Sequence, residues 1–372
     1  MILKLVMNLF IISCIFDPAD KIFGLKTLLY LLLFFILFVI LFSNKTIIFD
    51  KRDIYYLLVI YTILAISYFI GKVRNINFNN NIAYGYLKSF LFLGLLLFIN
   101  IESNIFKKML LNILMILSYS IIIIFLIKLL FNNEYIEKLT LYLTFEVESA
   151  KIGIRQYGSY TVPMIYFKTS PLIIFSIAHF IKKQTNINLI ISILCLIAMI
   201  LSGTRANIII GFAFFSVSFF IIYKKYRKAA IIIFTLIIIL FFPKILINFF
   251  SVSEYSNTIK INHIYDYIKL FDTKTILFGQ GIGSGFMSTA FHGLTYNTEL
   301  TYFEIIRIFG LLLGTILIIF IILPGILLYK NDIINSLAYF SYLIIAGTNP
   351  LLISSTGMIA IIYTILLNKD IM

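Results

Sequence analysis

The chain has no Trp, only 2 Cys and only 6 Pro, and charged residues fill just 12% of its 372 positions. Each scarcity excludes something. A soluble domain carries about 25% charged residues, so half that share, with a mean hydropathy of +1.04, excludes an ordinary water-soluble fold. Cys14 and Cys195 both sit inside apolar runs, which excludes a disulfide framework. The 16 acids are scattered and no HxxH or DxD pattern occurs, so no metal cluster is expected. Without Trp, the 24 Tyr must supply the aromatic belt at the membrane interfaces.

What is present is hydrocarbon. Apolar runs long enough to cross a bilayer, about 17–25 residues each, recur from end to end. The pattern predicts an all-α polytopic membrane protein of about twelve spans, forming one transmembrane domain over 1–372. The predicted spans are 1–16, 25–43, 54–70, 84–100, 109–131, 169–182, 187–202, 206–223, 229–250, 299–329, 335–348 and 355–368. The first is expected to be an uncleaved membrane helix rather than a signal peptide. Pro171 falls at a first helical turn, where its missing N–H is harmless. Pro324 falls late in the tenth span and is expected to kink it.

A net charge of +14 in a soluble protein would suggest nucleic acid, but here the basic residues crowd into short loops and no nucleic-acid partner is expected. Alternate loops carry Lys45, Lys51 and Arg52, then Lys107 and Lys108, then Lys182 and Lys183, then Lys224, Lys225, Arg227 and Lys228, then Lys330. The positive-inside rule places these loops, and both termini, in the cytoplasm. Two long loops, 132–168 and 251–298, then face outward, and long loops in compact bundles usually carry function.

This orientation leaves Lys72, Arg74, Arg155, Arg205 and Arg307 at or near the outer face, against the bias. An anionic ligand held there would account for them, because the guanidinium fork matches phosphate oxygens and stays charged. Arg205 follows the turn Ser202–Gly203–Thr204, where Thr204 can cap the next helix and its free N–H groups can meet an anion. The alternative is an arginine snorkelling to the headgroups. Arg155 lies in "KIGIRQYGSYTVPMIYFKTSP", where Tyr157, Tyr160 and Tyr166 can stack on sugar rings; an interfacial amphipathic segment fits the same residues.

The stretch "TELTYFEIIRIFGLLLG" puts Glu299, Glu304 and Arg307 at the start of the tenth span. A helix from about 297 to 329 would be near 50 Å long, so its first turns can project outward. Glu299, Phe303 and Arg307 would then share a face, and Glu304 and Arg307 form an i, i+3 pair. Arg307 either reaches a ligand or pairs with Glu304 to fix the helix. Just upstream, "FGQGIGSGFMSTAFHGLTYNTE" is expected to be a flexible glycine loop whose backbone can approach a ligand closely. His292 lies in it, whereas His179 belongs to an apolar span and His263 is expected to be solvated.

Taken together, "LSGTR", "FGQGIGSGF", "TELTYFEIIRIFGLLLG" and "AGTNPLLISSTGMIAIIY" resemble bacterial O-antigen polymerases of the Wzy type, within the O-antigen ligase-like superfamily. The resemblance covers most of the second half of the chain. It implies a GT-C-like architecture with two long periplasmic loops in the bacterial inner membrane, and a metal-independent glycosyltransferase with no cofactor. The donor would be a glycan on undecaprenyl pyrophosphate, and the acceptor a lipid-linked repeat unit, joined at the periplasmic face. Membrane lipid, a chain-length regulator and the pathway's flippase are the implied partners. The family's essential arginines map onto Arg155 and onto Arg205 or Arg307 as pyrophosphate ligands. His292 best matches the histidine of the ligase relatives, although Gly293 departs from their pattern. Leaving-group stabilisation and one base suffice for the chemistry. His292 and Glu299 are the candidate bases, with Tyr157, Tyr160 and Glu304 holding substrate. A ligase acting on lipid A core, and a polysaccharide flippase or transporter, are the alternative functions.

Overall fold

The computed structural model describes residues 2–43, 50–99, 102–131, 134–157, 160–228, 231–232, 235 and 255–369. It is mostly helical, as expected of an all-α membrane protein. Among the described residues, five helices are long and apolar enough to cross a membrane: Lys51–Arg74, Asn80–Ile99, Ser103–Leu130, Arg205–Ile222 and Thr301–Tyr329. Six shorter apolar helices accompany them. Eleven of the predicted segments fall on these helices, and 229–250 lies almost wholly outside the described residues.

In chain order the helices are α1 (Ile2–Phe16), α2 (Leu25–Ser43), α3 (Lys51–Arg74), α4 (Asn80–Leu91, extended by turns to Ile99), α5 (Ser103–Leu130), α6 (Glu134–Leu141) and α7 (Ile173–Ile181). They continue with α8 (Asn186–Leu201), α9 (Arg205–Ile222), α10 (Tyr255–Leu270), α11 (Thr273–Phe278), α12 (Thr301–Tyr329), α13 (Ile333–Gly347) and α14 (Ser355–Lys369). Side chains close several ends. Asp50 caps α3 by accepting from Arg52 N at 2.9 Å, and Asn79 caps α4 by accepting from Asn81 N at 2.9 Å.

The expectation of a purely helical chain needs one addition. Strands β1 (Ala150–Tyr157) and β2 (Tyr160–Phe167) form an antiparallel hairpin, and β3 (Phe286–Ser288) pairs with β4 (Gly293–Thr295). The second long loop also contains α10 and α11.

By spatial proximity the chain divides into two units. One holds Met1–Ile36, Glu102–Ser251 and Leu328–Ile345; the other holds Leu37–Ile101, Val252–Leu327 and Ala346–Met372. In the first, α8 packs against α5, α7 and α9, α1 packs on α5, and β2 lies on α5 and α8. Asn207 Nδ2 joins Ser170 Oγ and Ser202 Oγ, both at 2.8 Å, tying α9 to the start of α7.

The second unit is organised by a break in α12. The helix begins at Thr301, not near 297, so Glu299 lies outside it and the expected Glu299–Phe303–Arg307 face does not form. It then breaks at Gly310, whose φ of 69° and ψ of 176° are open essentially to glycine alone. A single straight helix of ~33 residues is therefore replaced by two pieces. Backbone groups freed by a break must find partners. Here the carbonyl of Arg307 accepts from Gln280 N at 2.6 Å and that of Ile308 from Gly281 N at 2.9 Å and Ser67 Oγ at 3.3 Å.

The glycine loop supplies those partners, so its expected flexibility is corrected. Gly279 lies so close to the break that an added Cβ would sit 2.3 Å from Ile308 O. At Gly281 the same atom would sit 2.0 Å from Gly71 N on α3. These glycines bring backbone against backbone rather than against a ligand.

Candidate functional site

Arg307 is fully buried, one turn before the break. An isolated buried guanidinium is costly unless every donor finds an acceptor. All three of its nitrogens do. Nε donates to Glu304 Oε2 at 3.0 Å and Nη2 to Glu304 Oε1 at 2.6 Å, a two-pronged ion pair. Nη1 donates to Gln280 Oε1 at 2.9 Å and to Ser284 Oγ and O at 3.0 and 3.1 Å, while Nη2 also reaches Tyr296 O at 3.1 Å. The Phe286 ring lies 5.1 Å from the guanidinium carbon.

The expected pyrophosphate ligand Arg307 thus has its nitrogens on protein acceptors, and a phosphate would have to displace Glu304 to reach it. The pairing alternative is the one the geometry presents. What Arg307 does is fix a carboxylate. Glu304 is 1% exposed, and its Oε2 also accepts from Tyr267 Oη at 2.6 Å. Tyr267 lies 2.5 Å from Thr298 Oγ1 as well. Burial, and next the charge of Glu304, push the Tyr267 phenol up, so it remains a donor.

Glu304 lines a cavity of about 210 Å³ whose other polar walls include Asn81, Tyr86, Ser89, Thr298 and Ser354. Tyr86 Oη donates to Asn297 Oδ1, another lining residue. Thr301 Oγ1, also at the wall, bonds the carbonyls of Ala346 and Asn349 at 3.0 and 2.6 Å. These amides and hydroxyls share the wall with the apolar Ile82, Pro350 and Ile353. Such a lining can donate to and accept from a hydroxylated ligand, and among the described residues Glu304 is its only charged group.

His263 on α10 was not expected to matter and is completely buried, with neither ring nitrogen hydrogen-bonded. Its ring meets Phe291 edge-on at 4.9 Å. Burial lowers its pKa below the ordinary 6.5, against the opposing charges of Asp266, Glu299 and Glu304. Asp266 holds the adjoining β3–β4 turn, accepting from Thr289 N at 2.9 Å, Thr289 Oγ1 at 2.7 Å and Ser288 Oγ at 3.1 Å.

The other expected residues divide between the units. His292 sits exposed in the β3–β4 turn with φ 51°, and Glu299 is partly exposed 3.7 Å from Lys260 Nζ. In the first unit, Arg155 on β1 is half-buried, and its Nη1 donates to Gly203 O at 2.6 Å. Gly203, at φ 70°, belongs to the turn that opens α9 with the half-buried Arg205. The structure therefore brings Arg155 and Arg205 to one turn, while Arg307 belongs to the other unit. Thr204 holds the N-cap position without a side-chain capping bond. Tyr157 and Tyr160 are paired through their backbones at the hairpin end, and their side chains lie outside the described residues.

Sequence reasoning missed Tyr267, Gln280, Thr298 and His263. A faint signal existed: His263 and Tyr267 are an i, i+4 pair in an otherwise polar segment, the mark of one helix face. No protein-family model, curated protein or solved structure matches the chain.

Proposed function

We propose that the protein is a membrane glycosyltransferase of the O-antigen polymerase kind, and that the cavity over Glu304 receives the acceptor sugar. The carrying observation is a buried carboxylate, clamped by Arg307 and Tyr267, at the wall of a pocket that presents amides and hydroxyls beside the apolar Ile82, Pro350 and Ile353. A sugar ring offers hydroxyl donors and acceptors on every edge, and this lining answers both. Three of the four sequence motifs behind the resemblance contribute to this one neighbourhood: Gln280 and Ser284 from the glycine stretch, Thr298, Thr301 and Glu304 from the next, and Pro350 and Ser354 from the last.

In this reading, Glu304 accepts the proton of the attacking acceptor hydroxyl as that oxygen bonds the donor's anomeric carbon and the bond to the pyrophosphate oxygen breaks. Base catalysis of this kind contributes about 10²–10⁴-fold. The departing pyrophosphate needs cations; taken by itself, the turn shared by Arg155 and Arg205 in the first unit is the candidate anion site, with two guanidinium groups beside a helix N-terminus. Arg307 is a positioning residue rather than a ligand. The donor would be an undecaprenyl-pyrophosphate glycan and the site would face the periplasm.

Deleting the gene and resolving the surface polysaccharide on a gel tests the reading. Loss of the ladder with a single repeat unit retained supports a polymerase. Loss of every repeat from lipid A core points to the ligase or the flippase. Glu304→Gln, which keeps the shape of the side chain, should remove the ladder from cells that retain the protein in the membrane. A normal ladder from that variant removes Glu304 from the chemistry.

A further inference from the structure

Far from Glu304, the same helix carries Pro324, some twenty residues and about 30 Å along α12. Proline has no N–H and crowds the preceding turn, so the carbonyl of Phe320 loses its helical partner. Tyr56 Oη donates to that carbonyl at 3.1 Å, and Asn368 Nδ2 donates to the carbonyl of Pro324 at 2.8 Å. In hydrocarbon such groups must be satisfied by neighbouring helices. Here α3 and α14 do so, and the polar atoms of the floor are satisfied from within.

Beside this floor opens a cleft of about 400 Å³, walled by Tyr55, Phe320, Leu323, Leu327 and Ile365. Tyr55 and Leu327 are exposed, so the cleft opens on the lateral surface of apolar helices. Its rim is charged. Lys369 Nζ pairs with Asp53 and lies 3.9 Å from Asp50 Oδ2, so one ammonium is shared by two carboxylates. Lys51 and Arg52 are exposed at the same rim, so among the described lining residues three basic groups, Lys51, Arg52 and Lys369, face two acidic ones, Asp50 and Asp53. An apolar slot with a basic mouth at the end of a membrane helix is complementary to one molecule of the bilayer itself.

We propose that the cleft holds an acyl chain of an anionic phospholipid, with the lipid phosphate against Lys51 and Arg52. The apolar walls take the chain, and the two cations select the headgroup over a zwitterionic one. This site is independent of the glycosyltransferase reading.

The absence of native Trp makes the test direct, because a single introduced indole is the sole one in the chain. Full-length Leu323→Trp protein, and separately Tyr55→Trp protein as a second reporter, is reconstituted in phosphatidylcholine vesicles. These contain a minor fraction of either acyl-brominated phosphatidylglycerol or acyl-brominated phosphatidylcholine. At equal mole fraction, the brominated phosphatidylglycerol should quench the indole several-fold more. Adding Lys51→Gln and Arg52→Gln together should abolish that preference while leaving quenching by brominated phosphatidylcholine unchanged. Equal quenching by the two lipids, a preference that survives the double substitution, or no quenching by either would each overturn the proposal.

Discussion

Two arginine sites in one chain show how differently the same side chain is used. Arg307 is fully buried, and every nitrogen is matched by a protein acceptor. Arg155 and Arg205 are half-buried at a turn opening α9. Both sites looked alike in the sequence, as arginines on the unexpected side of the membrane. The difference is burial. A guanidinium closed off by its own fold holds other groups in place, whereas one left partly exposed at a helix start can meet an incoming anion.

The largest expected effect tests the closed site. Arg307→Ala leaves Glu304 as a buried charge without its partner, a loss of about 3–5 kcal/mol. The purified variant should unfold well below the wild type in a detergent melt, or fail to accumulate in membranes. Arg307→Lys should do little better, since one ammonium cannot reach Glu304, Gln280 and Tyr296 at once. A variant as stable as the wild type would erase the contrast between the two sites. The half-exposed site should behave in the opposite way. Arg205→Ala is expected to abolish the polysaccharide ladder while protein abundance stays unchanged, and a normal ladder would remove Arg205 from the mechanism.

The sequence carried some of this openly. Apolar runs declare themselves without tertiary information, so α3 was expected at 54–70 and stands at Lys51–Arg74. The Glu304–Arg307 spacing was also visible as a helical pair. What it ties together was not, because Gln280, Ser284 and Tyr267 arrive from other segments. The β1–β2 hairpin had a readable signal, two β-rich runs separated by Gly158 and Ser159, obscured by the helical character of everything around it. The histidines misled for a physical reason. His292 drew attention through its glycine-rich setting and is exposed; His263 looked solvated and is buried, and burial is decided by what packs on a helix, not by its own residues.

The break at Gly310 bears on the buried site as well, because the Arg307 and Ile308 carbonyls beside it accept from Gln280 and Gly281, in the loop that also supplies acceptors to the Arg307 side chain. Glycine is common in membrane helices, so nothing local marks this one as special. An alanine there would need a conformation costing about 1–3 kcal/mol, and its Cβ would sit 2.4 Å from Leu277 O. Gly310→Ala should therefore lower the melting temperature, though less than Arg307→Ala. Gly314→Ala, whose nearest neighbour would be 3.4 Å away, should be nearly silent.

The smallest effect concerns His263, which lies in the same unit as Arg307 but lacks what Arg307 has. Its ring is buried without hydrogen-bond partners, and burial lowers its pKa from the ordinary 6.5 despite Asp266, Glu299 and Glu304 nearby. The unfolded chain therefore binds this proton more readily than the folded one, so stability rises with pH through the window below 6.5 and is lost on acidification. The wild type should melt progressively earlier as pH falls through that window. His263→Leu should remove this part of the dependence, and the exposed His292 is common to both proteins, so the difference between the two curves isolates the buried ring. If the curves run parallel, folded and unfolded chains bind this proton equally, and the three carboxylates offset burial. His263 would then be a charged neighbour of Glu304 rather than a neutral wall behind it.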